Sequence, residues 1–272
     1  MAWLATRERK SVKDWGKISE EISIWIRGYA EANGIETLVV GVSGGIDSAV
    51  ASTLSAMTGM ETVVLNMPIH QDPLQYELSN RHIEWMKSKW GNVESRDFDL
   101  SLTYDKFCSE LREDGISELS LANSRARLRM TTLYAIAGSN NGIVVGTGNK
   151  VEDFGVGFFT KYGDGGVDIS PIADLFKSEV YAIGEELEIL KEIREASPTD
   201  GLWEDGRTDE EQIGASYEEL EWAMKEVENP SESDLSEREQ EVLNLYMGLH
   251  TTNLHKMSRI PVFKLNSDDR GN

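Results

Sequence analysis

Cysteine is almost absent: Cys108 stands alone in 272 residues, which excludes an internal disulfide or a cysteine-rich zinc site and fits a reducing cytoplasm. No apolar run approaches the roughly 18 residues a bilayer span needs, and Met1 to Lys10 has no apolar core of a secretory signal. Basic charge is also scarce, with 27 Lys and Arg against 48 Asp and Glu and a formal net charge of −21. Such a surface repels nucleic acid and anionic membrane, so neither is an expected partner, and an anionic substrate must meet local positive charge. The acid excess serves solvation, or adapts the chain to salt. In the second case the thermal midpoint rises as added salt screens the self-repulsion, and a midpoint indifferent to salt rejects it.

What remains is an ordinary globular composition, 39% hydrophobic and 28% charged. A chain of this length can bury about three quarters of its unfolded surface, and length alone leaves one large α/β domain or two smaller ones open. No internal repeat is visible.

The chain is organised around Leu38 to Ser48. An apolar β-branched run enters the turn Ser43-Gly44-Gly45, and a helical pattern leaves it through Ala49, Val50, Leu54 and Met57. Helix N-termini carry unpartnered amides and partial positive charge, and adjacent glycines let backbone close round a phosphate. The turn lacks the lysine and spacing of the G-x-x-x-x-G-K-[ST] loop and carries Asp47 instead. A carboxylate beside a phosphate implies a bridging hard cation, Mg²⁺. The plain alternative is a serine-capped βα turn.

The spacing predicts a helix before this strand, ending at Asn33-Gly34 and including Tyr29, which suits an amphipathic face or a ligand wall. After the turn it predicts a strand at Thr62 to Met67, a helix from Asp72 to Trp90, a strand from Val93 to Leu100 and a helix from Leu102 to Arg112. Alternation of this kind predicts a parallel sheet with helices on both faces and ligands off the strands' carboxyl ends. A helix from Leu121 to Ala137 follows. Arg125 and Arg129, four apart, share one face of it, and Arg127 points elsewhere. Ile143 to Thr147 reads as a fourth strand, with Val151 where a dinucleotide fingerprint would need its third glycine.

Asn149 to Asp168 reads as a long loop mixing charged and aromatic residues with glycines, a composition that suits ligand contact. A helix from Asp174 to Leu187 is expected to take Asp174 as N-cap, which leaves Lys177 in the first turn, where a cation opposes the dipole unless it serves an anion or acid. Turns are expected at Ser197 to Gly201 and Asp205 to Thr208. Thr208 and Glu211 then cap a helix to Met224, Glu226 to Ser236 forms an acidic linker, and a last helix from about Glu237 to Asn253 gives way to His255-Lys256 and a tail without a clear pattern.

Ser43 to Ser48 resembles the pyrophosphate-loop signature of enzymes that split ATP into AMP and pyrophosphate. Four further blocks make the resemblance specific to ammonia-dependent NAD synthetase. They are Asn123 to Met130; Val145 to Asn149 with Gly157-Phe-Phe-Thr-Lys-Tyr-Gly-Asp-Gly-Gly-Val-Asp168; Gly206 to Glu210 with Gly214-Ala-Ser-Tyr217; and Leu254-His-Lys256. Together they cover most of the chain from about Ile22 to Lys256. The family's usual arginine after the His-Lys pair is replaced by Met257.

The resemblance implies a single domain over residues 1–272, adenine nucleotide alpha-hydrolase-like, with a mostly parallel sheet. Only 40 residues precede Gly41, too few for a glutaminase domain, so ammonia is the expected nitrogen donor. It implies a cytoplasmic homodimer acting on deamido-NAD, ATP and ammonia, with Mg²⁺ held by Asp47 and Glu152. ATP is implied to meet Gly41, Val42, Ser43, Gly44, Gly45, Ile46, Asp47, Ser48, Thr147, Lys177 and Thr199. Deamido-NAD is implied to meet Arg127, Lys161, Asp168, His255 and Lys256. No residue is identified as a general base, although Asp168 is an acid that could take the ammonium proton. Two alternatives remain: another pyrophosphate-loop ligase, of which a tRNA-modifying version is disfavoured by the acidity, and a silent nucleotide binder.

Overall fold

Three apolar β-branched runs and one polar edge segment form the sheet, and side chains alternating with a period of two let it face helices on both sides. The computed structural model describes residues 13–111, 115–198 and 208–265. β1 (Thr37–Gly41), β2 (Glu61–Asn66), β3 (Val93–Asp97) and β4 (Gly142–Val144) pair in parallel in the order β3-β2-β1-β4. Val39 stands opposite Val63 on one side and Val144 on the other.

Helices α1 (Trp15–Ala32), α2 (Ile46–Met57), α3 (Pro73–Lys89), α4 (Ser101–Glu110) and α5 (Glu118–Ser139) follow the expected alternation. Leu38, Val40, Ile143 and Val145 face Ile26 and Ala30 of α1, Val50 and Leu54 of α2, and the later helix α6 (Lys177–Glu186). Val39, Val63, Leu65 and Val144 face Ala137 and Leu133 of α5. After β3 the chain crosses back to put β4 on the far side of β1. The strand order therefore reverses between β1 and β4, where a crevice opens at their carboxyl ends.

Several boundaries differ from the sequence pattern. α6 begins at Lys177, with Phe176 as N-cap, its N–H satisfied by the Glu179 carboxylate at 2.9 Å. Asp174 is not the cap; it is exposed and pairs with Lys150 at 3.2 Å. A short helix α7 (Lys191–Glu195) has no counterpart in the sequence reading. The helix expected from Thr208 to Met224 is two, α8 (Asp209–Ile213) and α9 (Tyr217–Glu228), because Gly214 turns left-handed at φ 91° and Ser216 caps afresh with Glu219. α9 thus takes the first residues of the expected acidic linker. α10 (Glu237–Met257) runs past Asn253 and carries His255 and Lys256 in its last turn, where cations suit the dipole. The expected loop from Asn149 opens with a π-helical turn, Val151–Val156. Thr199, Asp200, Gly201, Asp205, Gly206 and Arg207 lie outside the described residues. Among the described residues no helix is long and apolar enough to cross a membrane.

One core group predicts a pH response. His82 of α3 is fully buried, stacks on Trp85 with ring centroids 5.3 Å apart, and its Nε2 lies 3.1 Å from Ser52 Oγ. The Ser52 hydroxyl donates to the Ala49 carbonyl, which assigns the ring proton to Nε2 and leaves Nδ1 without a partner. Burial pushes the imidazole pKa down to about 4. The unfolded chain therefore binds this proton first as pH falls, so stability is full above about 6.5 and declines by about 3 kcal/mol towards pH 4. Denaturant titrations of wild type and His82→Phe from pH 7 to 4 check this: the variant is expected to lose that part of the slope.

Candidate active site

Every element at the crevice contributes backbone or charge to one cavity of about 470 Å³. β1 delivers Gly41 to Ser43, and Gly44 takes φ 90° to swing the chain into α2. The turn is tied internally: Ser43 N–H donates to Ser48 Oγ at 3.1 Å, and Ser48 Oγ donates to the Gly45 carbonyl at 3.0 Å. Gly45 sits at the N-cap with no side-chain cap, and a Cβ there would meet only Ser43 Oγ, at 3.5 Å. An unfilled helix N-terminus therefore faces the cavity, which suits an anion.

Across from it, Lys177 donates to Asp47 Oδ2 at 2.5 Å and to Glu152 Oε1 at 3.1 Å. Its side chain is only 4% exposed, so the charge must be paired. Three groups hold this trio. Asn149, fully buried, donates to Asp47 Oδ1 at 3.2 Å and accepts the Val151 and Glu152 N–H groups, which anchors the π turn. Tyr217 donates to Glu152 Oε1 at 2.5 Å, shares that hydroxyl with Asp209 at 3.2 Å, and lies under the Lys177 ammonium, 4.7 Å from its ring centroid. Glu221 of α9 accepts the Ser178 N–H and hydroxyl at 2.9 and 2.7 Å, supplying the negative charge that α6 wants at its start.

Burial opposes the Lys177 ammonium, but Asp47 and Glu152 outweigh it and hold its pKa above the ordinary lysine value. Burial raises the Asp47 pKa while Lys177 works against that rise. The ammonium lies nearer to Asp47 than to Glu152, at 2.5 against 3.1 Å.

Other acids and bases in the wall stood outside the ATP, deamido-NAD and metal sets that the resemblance implied. Arg129 lines the cavity, donates to the Met67 carbonyl at 3.0 Å, and is held by burial, then by the nearby Arg125, at about 10. Asp164 accepts the Thr160 N–H at 2.9 Å and burial lifts it to about 6. Asp153 is raised to about 8, by burial first and then by Glu152. Helical spacing did separate Arg125 and Arg129 from Arg127, but which face meets the cavity depends on where α5 packs. The short spacing of Glu152 and Asp153 was likewise readable, but not the burial that perturbs Asp153.

The sequence-derived residues divide between places. Gly41 to Ser48, Thr147, Glu152, Lys177 and Lys256 line the cavity. Lys256 spends its ammonium on the carbonyls of Gly157 and Phe159, at 2.7 and 2.9 Å, tying α10 to the cavity wall. Arg127, Lys161 and His255 gather outside that lining: Lys161 donates to the His255 carbonyl at 2.6 Å, and Arg127 reaches the Lys161 carbonyl at 3.3 Å. Asp168 lies in neither group. It accepts the Val144 N–H at 2.7 Å and the Tyr134 hydroxyl at 3.0 Å, and borders a shallower groove of about 430 Å³ with Trp25, Tyr29 and Phe154. Both those bonds make it a poor acceptor for a proton from ammonium in the larger cavity.

Asp47 and Glu152 fit a magnesium ion in one respect: their oxygens converge on a single point, the Lys177 nitrogen. No group of three or more His, Cys, Asp or Glu that could hold a metal occurs among the described residues. Two carboxylates with phosphate oxygens and water are a normal Mg²⁺ set.

The cavity therefore defines an α/β protein with a pocket suited to an anion at the switch point of its sheet. Sequence comparison narrows the class. The chain belongs to the NAD synthase family, whose model matches residues 18–260. A protein of Alkaliphilus metalliredigens named NH(3)-dependent NAD(+) synthetase is 38% identical over 248 residues, 89% of this chain and 96% of the relative. Among solved structures, NMN synthetase from Francisella tularensis superposes with a TM-score of 0.82 at 31% identity, covering 93% of this chain and 100% of that one. NH3-dependent NAD synthetase from Campylobacter jejuni, solved with nitrate, gives 0.76 at 25% identity and the same coverage.

Proposed function

We infer that the chain is an ammonia-dependent NAD synthetase, converting deamido-NAD, ATP and ammonia to NAD, AMP and pyrophosphate. The observation that carries this reading is the convergence of Lys177, Asp47 and Glu152 opposite the Ser43 to Ser48 turn, in a chain whose family is known.

A carboxylate resists attack by ammonia, and adenylation replaces its charged oxygen with a leaving group. The nicotinate oxygen attacks the α-phosphorus, the bond to the β-phosphate oxygen breaks, and pyrophosphate departs. The amides of Gly44, Ile46 and Asp47 receive phosphate oxygens, and Lys177 and Arg129 offset their charge. Asp47 and Glu152 would hold Mg²⁺, which when bound supplies charge stabilisation to the phosphates. Ammonia then adds to the acyl carbon and AMP leaves. Asp164, buried in the same wall, is placed to take the proton that nitrogen sheds.

Arg127 and Lys161, with His255 beside them, supply the positive rim that a −21 chain needs for an anionic dinucleotide, and Asp168 with the aromatic groove offers a second contact for it. Trp25 and Tyr29 are half exposed there, an apolar surface that suits a homodimer in the cytoplasm. Lys161→Ala is expected to weaken deamido-NAD binding roughly tenfold with little change for ATP, by calorimetry. The reverse pattern overturns that assignment.

The test of function is product formation from deamido-NAD, Mg-ATP and ammonium, with glutamine replacing ammonium in a parallel reaction and AMP quantified. NAD with ammonium alone, at one AMP per NAD, is the expected result. Because the Francisella protein is named for NMN, nicotinate mononucleotide runs beside deamido-NAD. Preference for the mononucleotide would keep the chemistry and replace the substrate.

A further inference from the structure

The Lys177 ammonium occupies the point on which both candidate metal carboxylates converge. It lies 2.5 Å from Asp47 Oδ2 and 3.1 Å from Glu152 Oε1, and Tyr217 and Asn149 hold those two acids in place from behind. An Mg²⁺ bound to the same two oxygens needs metal to oxygen distances of about 2.1 Å, which leaves no room for an ammonium between them. A divalent ion and a lysine in contact within a water-poor site would also repel strongly. The two cations are therefore alternatives for one position.

We propose that Lys177 is a built-in counter-cation that closes the metal position until nucleotide arrives, and that Mg²⁺ and the ammonium exchange there. This rests on the reading of the site as one for Mg-ATP. In the nucleotide-free protein one positive charge sits between two largely buried carboxylates, which holds them together while giving a free divalent ion no vacant place. Bound ATP changes the balance. Its phosphate oxygens, seated on the Ser43 to Ser48 turn, offer the ammonium a new partner across the cavity and complete the metal's ligand set. Lys177 is suited to the move: its charge sits on a flexible four-carbon stem, and its α6 backbone stays pinned by Glu221. Metal and nucleotide then enter together, and the lysine is delivered to the phosphates by the event that loads the metal.

Retention of Mn²⁺ by the protein in equilibrium dialysis tests this without turnover, with and without α,β-methylene-ATP, which cannot be cleaved at the α-phosphorus. Wild type is expected to retain one Mn²⁺ with the analogue and to bind it roughly tenfold or more weakly without. Lys177→Met is expected to bind Mn²⁺ without nucleotide at least about tenfold tighter than wild type, and adding Asp47→Asn to that variant should abolish the gain. Wild type binding Mn²⁺ equally well with and without the analogue overturns the exchange while leaving the metal reading intact. Failure of wild type to retain Mn²⁺ even with the analogue rejects both. The wild-type comparison stands even if Lys177→Met fails to fold. If that variant folds only with Mn²⁺ present, the ion is replacing the missing ammonium, as the exchange requires.

Discussion

Asp47→Asn is expected to lower pyrophosphate release on the order of 10³-fold, the scale on which removing a charge-stabilising group from a reacting centre acts. Asp47 is in the first turn of α2, beside the turn proposed to meet the phosphates, and one of its oxygens holds Lys177 at 2.5 Å. An amide is a weak ligand for a hard cation and presents one acceptor in place of two. It retains the other contact, since its own oxygen can accept from Asn149 Nδ2 as Asp47 does at 3.2 Å. The fold should survive because Glu152 still faces the Lys177 ammonium at 3.1 Å, at a cost of up to about 3 kcal/mol for removing one of the two acids paired with that buried charge. Pyrophosphate release under saturating Mg-ATP and deamido-NAD is the measurement. A loss of less than about tenfold would take Asp47 out of the reacting centre.

The largest stability effect is expected at Gly44, and its neighbour provides the contrast. A Cβ on Gly44 would stand 2.6 Å from the Gln75 carbonyl and 3.2 Å from the Ser79 nitrogen, both backbone of α3, at a φ of 90° that side chains rarely adopt. Backbone strain and overpacking add, so Gly44→Ala is expected to cost about 3 kcal/mol or more. Gly45→Ala meets neither obstacle: its φ is −88° and the nearest atom is Ser43 Oγ at 3.5 Å. That variant should keep its unfolding midpoint and lose ATP affinity, because its methyl sits at the helix start where phosphate must approach. Denaturant midpoints and nucleotide titration on the two variants separate the roles. Equal stability for both would show that α3 does not press on the turn.

Local chemistry explains what the chain alone revealed. Apolar runs of period two, helical runs of period 3.6 and the glycine turn between them specify β1, α2 and the alternation that follows, since each depends on neighbours a few residues apart. Asp72 and Thr208 cap their helices through side chains three residues from the amides they serve or closer. The motifs sufficed for the family, because Gly157 to Asp168 is a specific string.

Tertiary structure decided which of these residues meet. Lys177 reaches Asp47 across 130 residues of sequence, and no local pattern encodes that the start of α6 lands opposite α2. Arg129 rather than Arg127 faces the cavity because it lies on the same side of α5 as Leu133 and Ala137, which pack against the sheet. Asp168 lies outside the cavity wall because the Val144 amide and the Tyr134 hydroxyl claim its carboxylate. The π turn at Val151 exists because buried Asn149 collects its first amides, and the break at Gly214 because its left-handed φ ends α8. Periodicity reports the side of an element, whereas packing chooses its neighbour, and the charges of this site lie on neighbours far apart in the chain.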